Sequence, residues 1–221
     1  MKYLKFTLLA LFLSGTAMGA VRPFYQDVKL PTQQMVEKQT ITNPAVAATV
    51  DILAGHAGPT TAAVTTATTF VAQPDVPRNI VITPGGSIAS MNSCIVTVTG
   101  TNYLNDVITE TFDFGANSAT ADTGDKAFKT VTEFSWAANC EDLGFAATWN
   151  AGYGEKLGLK RCMDAAGHYV FSTVAGAYES TRATIRAAND TVEGNTADFN
   201  GTMNGINDFE IFFLQNFLCT N

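Results

Sequence analysis

The sequence predicts an all-β protein, an antiparallel β-sandwich or jelly-roll-like domain that follows an extended N-terminal arm. Short segments rich in Val, Ile, Thr and Phe recur along the chain, and clusters of Gly, Pro, Asn and Asp separate them about every ten residues. Nowhere does a long amphipathic helical pattern appear, which disfavours α/β folds. The chain divides into a signal-like segment at 1–19, an arm at 20–45 and the β-sandwich domain at 46–221.

The first segment, 1–19, has the three-part layout of a secretory signal peptide. Two lysines precede an apolar run over 6–13, and the small residues Ala17 and Gly19 occupy the third-last and last positions before a candidate cleavage point. The apolar run is too short to span a bilayer comfortably, so we predict no membrane contact in the mature form. The alternative is a hydrophobic arm that docks on a neighbouring subunit.

The arm at 20–45 contains three prolines and no sustained period, which is typical of extended chain. A short helix over 32–38 is the one regular element predicted within it. Such an arm would reach a neighbouring subunit through its apolar side chains. Its candidate contact residues are Phe24, Tyr25, Val28, Leu30 and Met35.

β-Branched and aromatic residues predict the strands of the domain. The predicted strands are 50–53, 64–71, 78–83, 93–99, 107–114, 127–136, 145–149, 168–174, 181–188 and 208–214, of which 181–188 also fits a helix. The clearest alternation lies at 107–114, where Ile108, Phe112 and Phe114 share one face. Turns are predicted at 55–59, 84–86, 101–106 and 120–126, and loops at 152–158 and 189–205.

The last predicted strand, 208–214, is apolar on both faces. Phe209, Ile211 and Phe213 share one face, and Phe212 lies on the other. A strand of this kind is buried either in a core or at a subunit interface, and the pattern fits both equally. These four residues are therefore candidate interface residues and candidate core residues at once.

The charge balance limits the classes of partner. Charged residues make up 15% of the chain, against roughly 25% in an average globular protein. The formal net charge is −7, and no basic run is present. These features weigh against direct binding of nucleic acid and against binding to anionic membrane surfaces. An acidic, sparsely charged chain suits a protein whose surface meets other proteins.

Signals for catalysis are weak. The chain has two isolated histidines and no G-x-S-x-G motif. Residues 122–124 read Asp-Thr-Gly, as in aspartic proteases, but that chemistry needs two such carboxylates, and a polar turn explains one copy better. Asp113, Asp122 and Asp125 could offer oxygen ligands to Ca²⁺, although a solvated turn again fits better. We predict no enzyme activity, no catalytic residue, no metal ligand and no cofactor.

The four cysteines bear on the cellular compartment. An even number permits two disulfides in an exported chain, with three possible connectivities. In a cytosolic protein the same residues would be buried thiols. Because no C-x-x-C motif or Cys/His cluster is present, a zinc site is disfavoured. The disulfide candidates are Cys94, Cys140, Cys162 and Cys219.

Four segments of the domain resemble, in the same order, a group of tailed-bacteriophage virion proteins. They read DVPRNIVI at 75–82, VTVTGTNYL at 96–104 leading into VITET at 107–111, KAFKTVT at 126–132 and GEKLGL at 154–159. The NGT at 200–202, before the last strand, is similar as well. The resemblance implies a β-sandwich virion component, either a capsid decoration (cement) protein or a related head or tail protein.

Two functions follow as expectations. The resemblance implies a non-enzymatic structural protein of the virion, whose partners are capsid or other virion proteins and further copies of itself, a trimer being one closed form. The alternative is an exported bacterial β-sandwich, secreted, periplasmic or on the cell surface, such as an adhesin, a pilin-like subunit or a carbohydrate-binding module. Trp136 and Trp149 could then form a sugar-stacking platform, although core tryptophans are the commoner outcome. Missing nucleophile and base motifs weigh against a secreted hydrolase.

Overall fold

The computed structural model describes residues 36–214 without 60–62, 87–92, 117, 141–146, 164 and 189–190. Within this part the fold is all-β, as the sequence predicts, and every strand pair is antiparallel. The strands belong to one compact unit that begins at Val36. The signal-like segment and the first part of the arm, 1–35, lie outside the described residues.

Fourteen strands are described, in three antiparallel sheets. They are β1 Val36–Ile41, β2 Ala48–Ala57, β3 Thr65–Ala67, β4 Arg78–Gly86, β5 Cys94–Thr101, β6 Val107–Phe114, β7 Asp122–Thr123, β8 Thr130–Trp136, β9 Ala147–Gly158, β10 Tyr169–Val174, β11 Ala177–Tyr178, β12 Thr184–Arg186, β13 Thr196–Asp198 and β14 Phe209–Leu214. We call the sheets the terminal sheet (β1-β14-β10-β11), the long sheet (β12-β13-β9-β4-β7, with β2 also paired to β9) and the hairpin sheet (β3-β8-β5-β6).

Two hydrophobic clusters form the interior. The first draws its side chains from the long and hairpin sheets, and Trp136 and Trp149 are the largest of them. The second draws on the terminal sheet, on β13 and on the end of β9, and contains Phe209 and Leu157. Because β9 supplies Trp149 to one cluster and Leu157 to the other, this strand links the two cores.

The hairpin of β5 and β6 confirms the predicted strand at 107–114 and the loop before it. Ile108, Phe112 and Phe114 are buried, as their shared face predicts. The side-chain oxygen of Asn102 accepts the backbone N–H groups of Leu104 and Asp106 at 2.9 and 3.0 Å. This closure is the turn chemistry that makes asparagine common in hairpin loops.

The predicted loop at 152–158 is wrong, because this segment is the second half of the twelve-residue strand β9. Its glycines are needed for close approach rather than for a turn. A Cβ on Gly152 would lie 1.7 Å from the carbonyl oxygen of Ala48, and one on Gly154 would lie 2.6 Å from the Asn79 side chain. Glycine inside this strand therefore indicates that another part of the chain packs closely against its backbone.

Replacement of Gly152 with alanine tests this interpretation. We expect Gly152→Ala to lower the free energy of unfolding by about 1–3 kcal/mol, since the added methyl group overlaps a backbone oxygen that cannot move alone. Urea denaturation measures the loss. The matched control is Gly115→Ala, because a Cβ there meets nothing within 4 Å. Equal unfolding midpoints for the two variants would contradict the close-packing role of Gly152.

The segment 189–205 also differs from the exposed loop that its composition predicts. It contains β13, and the described residues 192–197 are buried. Asn195 helps to explain this burial, because its side chain makes four hydrogen bonds inside the domain. Its amide donates to the carbonyl groups of Ala188 and Thr191, and its oxygen accepts N–H groups from Met163 and Ala188. A fully bonded asparagine can be buried without the usual cost.

Smaller differences concern boundaries. The predicted helix at 32–38 is wrong over 36–38, which is the start of β1, and its earlier residues lie outside the described part of the chain. The domain therefore begins about ten residues before the predicted start at 46. The turns predicted at 55–59 and 84–86 are largely strand, since β2 runs to Ala57 and β4 pairs with β9 as far as Gly86.

Candidate interaction surfaces

The predicted contact residues of β14 divide into core and surface. β14 is a central strand, with Ile211 opposite Gln39 of β1 and Ser172 of β10. Phe209, Ile211 and Phe213 are 0% exposed, so they belong to the chain's own core and offer no surface to a partner. Only Phe212 of the four remains a contact candidate. The arm candidates Phe24, Tyr25, Val28, Leu30 and Met35 lie outside the described residues.

Phe212 belongs to a surface of mixed apolar and polar residues on the other side of the terminal sheet. In antiparallel pairs, residues directly opposite each other share a face, which places Lys38 and Phe171 on either side of Phe212. We define the terminal-sheet face by the residues that this register places together, which are Val36, Lys38, Thr40, Phe171, Thr173, Tyr178, Glu210, Phe212 and Leu214. Val36 is 55% exposed and Tyr178 66% exposed, so apolar surface is open to solvent here.

Two aromatic rings of this face stack on each other. Phe171 and Phe212 lie on neighbouring strands, and their rings stack with centroids 4.2 Å apart and an angle of 16°. Since neighbouring strands are about 4.8 Å apart, two nearly parallel rings at this distance face each other rather than the solvent. Tyr178 continues the row, with its centroid 6.2 Å from that of Phe171.

One ion pair borders the aromatic row. Lys38 Nζ lies 2.6 Å from Glu210 Oε1 and 5.7 Å from the centroid of the Phe212 ring. The hydrogen bond from Lys38 lowers the pKa of the Glu210 carboxyl group, and Thr173 Oγ1 donates to the same carboxylate at 3.1 Å. The two charges of the terminal-sheet face therefore cancel, although the chain as a whole is acidic.

A cleft of about 320 Å³ opens beside β1. Among the described residues that line it, Asp75 is the one carboxylate, and none is a histidine or a cysteine. Asp75 is already bonded to Arg78 and to the backbone N–H of Ala45. The lining residue Gln39 is also satisfied, since its amide donates to Gly158 O and its oxygen accepts Lys160 N–H. Asp75 and Gln39 are thus both engaged in hydrogen bonds within the chain.

Arg78 is a fully buried cation in the middle of the domain. Its Nε donates to Gly154 O at 2.8 Å, and its Nη1 donates to Ala45 O and to Asp75 Oδ1, both at 3.0 Å. The guanidinium group also lies 4.4 Å from the centroid of the Tyr153 ring. These hydrogen bonds join β4 to β9 and to the segment before β2. The role of Arg78 is therefore structural.

The segments that carry the family resemblance pack against one another. Arg78 and Phe128 exchange two backbone hydrogen bonds, of 3.1 and 2.9 Å. Gly158 donates its N–H to Pro77 O at 2.7 Å, and a Cβ on Gly158 would lie 2.7 Å from Cβ of Ala127. Three of the segments thus meet at one point, so the motifs contain residues that build the fold.

The acidic residues around the Asp-Thr-Gly segment form hydrogen bonds and ion pairs within the chain. Glu110 Oε1 accepts the backbone N–H groups of Asp125 and Lys126, and Asp125 binds Lys156 Nζ at 2.6 Å. Asp122 Oδ1 accepts the N–H of Thr123 in a local turn. In the described part of the chain no group of three or more His, Cys, Asp or Glu is arranged to hold a metal ion.

Glu110 should give folding stability an unusual pH dependence. Burial raises the pKa of its carboxyl group above the ordinary value of 4.5, and its Oε2 is buried without a hydrogen-bond partner. The folded chain then holds the proton more tightly than the unfolded chain. The contribution of Glu110 to stability therefore falls as the pH rises from about 4.5 through the raised pKa.

Glu110→Gln is expected to remove this loss. The free energy of unfolding of the variant, relative to the native chain, should rise between about pH 4 and pH 7, as urea denaturation at both values would show. The control is Asp113→Asn, which changes an exposed carboxylate on the same strand. A difference that stays constant with pH for Glu110→Gln would contradict the raised pKa.

Both tryptophans are buried, and one of the two histidines packs against one of them. His56 stacks on Trp136 with centroids 4.9 Å apart, and burial lowers the pKa of its imidazole. His168 ends a short 3-10 turn. Trp136 and Trp149 are 0% and 1% exposed, so the predicted sugar-stacking platform is wrong. Both rings are core residues that fill the first cluster.

The three cysteines within the described residues are disulfide-bonded. Cys94 at the start of β5 is bonded to Cys140, in the 3-10 turn that follows β8, and both are buried. Cys162 is disulfide-bonded as well, and Cys219 lies outside the described residues. These bonds match the disulfides expected of an exported chain and differ from the buried thiols expected of a cytosolic one.

Comparison with known proteins identifies no relative of this chain. No protein-family model, no curated protein and no solved structure matches this chain. Among the described residues, no helix has the length and apolar character to cross a membrane. The likeness to tailed-bacteriophage virion proteins therefore stays a prediction from the segments quoted above.

Proposed function

We propose that this protein is a non-enzymatic structural protein that works by packing against other subunits, as a capsid decoration (cement) protein of a virus particle. The observation that carries the proposal is the meeting of the resembling segments at Arg78, Phe128 and Gly158. Segments that resemble this group in the same order, and that also pack together, support the proposal of a shared fold. An arm and an exposed, partly apolar sheet face would provide the contacts.

Particle fractionation tests this proposal. Virus particles banded from a producing culture should contain the chain in many copies, as quantitative mass spectrometry would show. Phe24→Asp combined with Tyr25→Asp should reduce the number of copies per particle, because charged side chains weaken an apolar arm contact. The matched control is Val64→Asp, an exposed apolar residue of the folded domain. Absence of the chain from particles and its presence in the culture medium would contradict the proposal.

The disulfides favour a second candidate, an exported bacterial β-sandwich such as an adhesin or pilin-like subunit. Structural disulfides persist in the periplasm and outside the cell, and are rare in the reducing cytoplasm where virions assemble. The Cys94–Cys140 bond and the oxidised Cys162 support this candidate. The buried tryptophans remove the argument for a carbohydrate-binding module.

Intact-mass analysis of the mature chain separates the two candidates. The exported form should lack residues 1–19 and should carry no free thiols. Retention of 1–19, together with free thiols and co-purification with particles, would contradict export and support the virion assignment. A processed, oxidised chain that is absent from particles would do the reverse.

A further inference from the structure

We infer that the terminal-sheet face binds a second copy of the same chain through a two-fold contact. The inference rests on the proposed function, since it names the partner of one subunit contact. In an antiparallel sheet the face away from the core is usually polar, because apolar and polar residues alternate along each strand. Here Phe171, Phe212 and Tyr178 form an aromatic row on that face, beside the polar side chains of Thr40 and Thr173.

The charges of the face favour a second copy as the partner. A chain with a net charge of −7 repels itself wherever its acidic surface meets its own acidic surface. On the terminal-sheet face Lys38 and Glu210 cancel, so two copies can approach there without this repulsion. A two-fold contact places the same patch on both subunits, which lets Lys38 of one copy pair with Glu210 of the partner subunit.

The ring geometry disfavours a glycan as the occupant. Sugars bind to the flat faces of aromatic rings, as cations do. Phe171 and Phe212 each cover one face of the other at 4.2 Å, and Lys38 Nζ lies 5.7 Å from the centroid of the Phe212 ring. Ring edges and aliphatic side chains suit the packing of one sheet on another at about 10 Å.

The size of the face sets the strength of the contact. Strands of six residues are about 20 Å long, and three neighbouring strands are roughly 15 Å wide, which gives a footprint of roughly 300 Å². This is well below the roughly 800 Å² per partner of a standard interface. We therefore expect a weak dimer that dissociates on dilution and that gains strength when many copies are held on one surface.

Sedimentation equilibrium of the full mature chain, from low to high micromolar concentration, tests the inference. The native chain should show a monomer–dimer equilibrium. K38E should raise its dissociation constant by more than about tenfold, because the new carboxylate faces Glu210 of the partner subunit. E210K should act in the same way. An equimolar mixture of K38E and E210K should restore the dimer, and such a rescue cannot arise from misfolding.

Replacement of exposed apolar residues provides a second, independent test of the same contact. Tyr178→Ser should weaken the dimer, whereas Val107→Ser, which removes a 76% exposed apolar side chain outside the face, should leave it unchanged. A monomer at every concentration, or an oligomer indifferent to both charge reversals, would overturn the inference. A chain that is monomeric in solution but present in particles would overturn the dimer and leave the virion proposal standing. A dimer that is absent from particles would keep the dimer and contradict the virion proposal.

Discussion

Arg78→Ala is expected to lower the free energy of unfolding by about 3–5 kcal/mol, the range found when one partner of a buried ion pair is removed. The substitution leaves the carbonyl oxygens of Gly154 and Ala45 without their donors, and it leaves Asp75 without its cation. It also opens a cavity in a fully buried position. Chemical denaturation measures the loss.

Arg78→Lys should recover less than half of that loss. A lysine keeps the charge, but its ammonium group is a point donor and cannot reproduce the planar fork that reaches Gly154, Ala45 and Asp75 together. The packing on Tyr153 depends on the same planar group. Burial raises the pKa of Tyr153 to about 12, so this ring stays neutral throughout an ordinary pH series.

The control for Arg78 is an exposed arginine. Arg161 has a side chain that is 52% exposed, and its Nε lies 3.9 Å from Glu37. Arg161→Ala should cost less than about 1 kcal/mol, as is usual for surface ion pairs. Similar losses for Arg161→Ala and Arg78→Ala would show that Arg78 does not hold β4 and β9 together.

What the sequence predicts well is local alternation. Along β6 the burial of Ile108, Phe112 and Phe114 follows from their spacing alone, since period two assigns the faces of a strand. The same rule assigns the two faces of β14. The hairpin loop before β6 is also local, because Asn102 closes it with groups two and four residues away.

What the sequence does not predict depends on distant partners. The close pairing of β2 with β9 requires Gly152, whose nearest neighbour is Ala48, about a hundred residues earlier in the chain. Likewise, whether β14 lies in the core or at a surface depends on its pairing with β1, more than 160 residues away. Composition assigned Asn195 to a loop, because it carries no information about the acceptors that fold around an asparagine.

The candidate contact surface was only partly visible in the sequence. Phe212 was a candidate because it follows and precedes apolar residues in β14. Phe171 and Tyr178, which complete the aromatic row, come from β10 and β11, and nothing local links them to Phe212. The pairing of Lys38 with Glu210 likewise appears only when β1 and β14 are adjacent.

Removal of the Cys94–Cys140 bond should have an effect of similar size to the loss of Arg78. The double variant Cys94→Ala with Cys140→Ala is expected to lose about 4 kcal/mol of unfolding free energy, because a bond across a sequence separation of 46 restricts the unfolded chain strongly. The closed loop contains β5, β6, β7 and β8, so the hairpin sheet is the part most affected.

Reduction distinguishes this chain-entropy effect from a packing effect. Cys94 and Cys140 are fully buried, so alanine also removes sulfur atoms from the first core. In strong reductant the native chain loses the same bond, and Cys162 is reduced equally in both proteins. The gap between native chain and double variant, measured by denaturation, should therefore shrink to the packing loss alone. A gap of the same size with and without reductant would mean that packing, and not the covalent link, stabilises this sheet, and the case for an oxidising compartment would lose its energetic support.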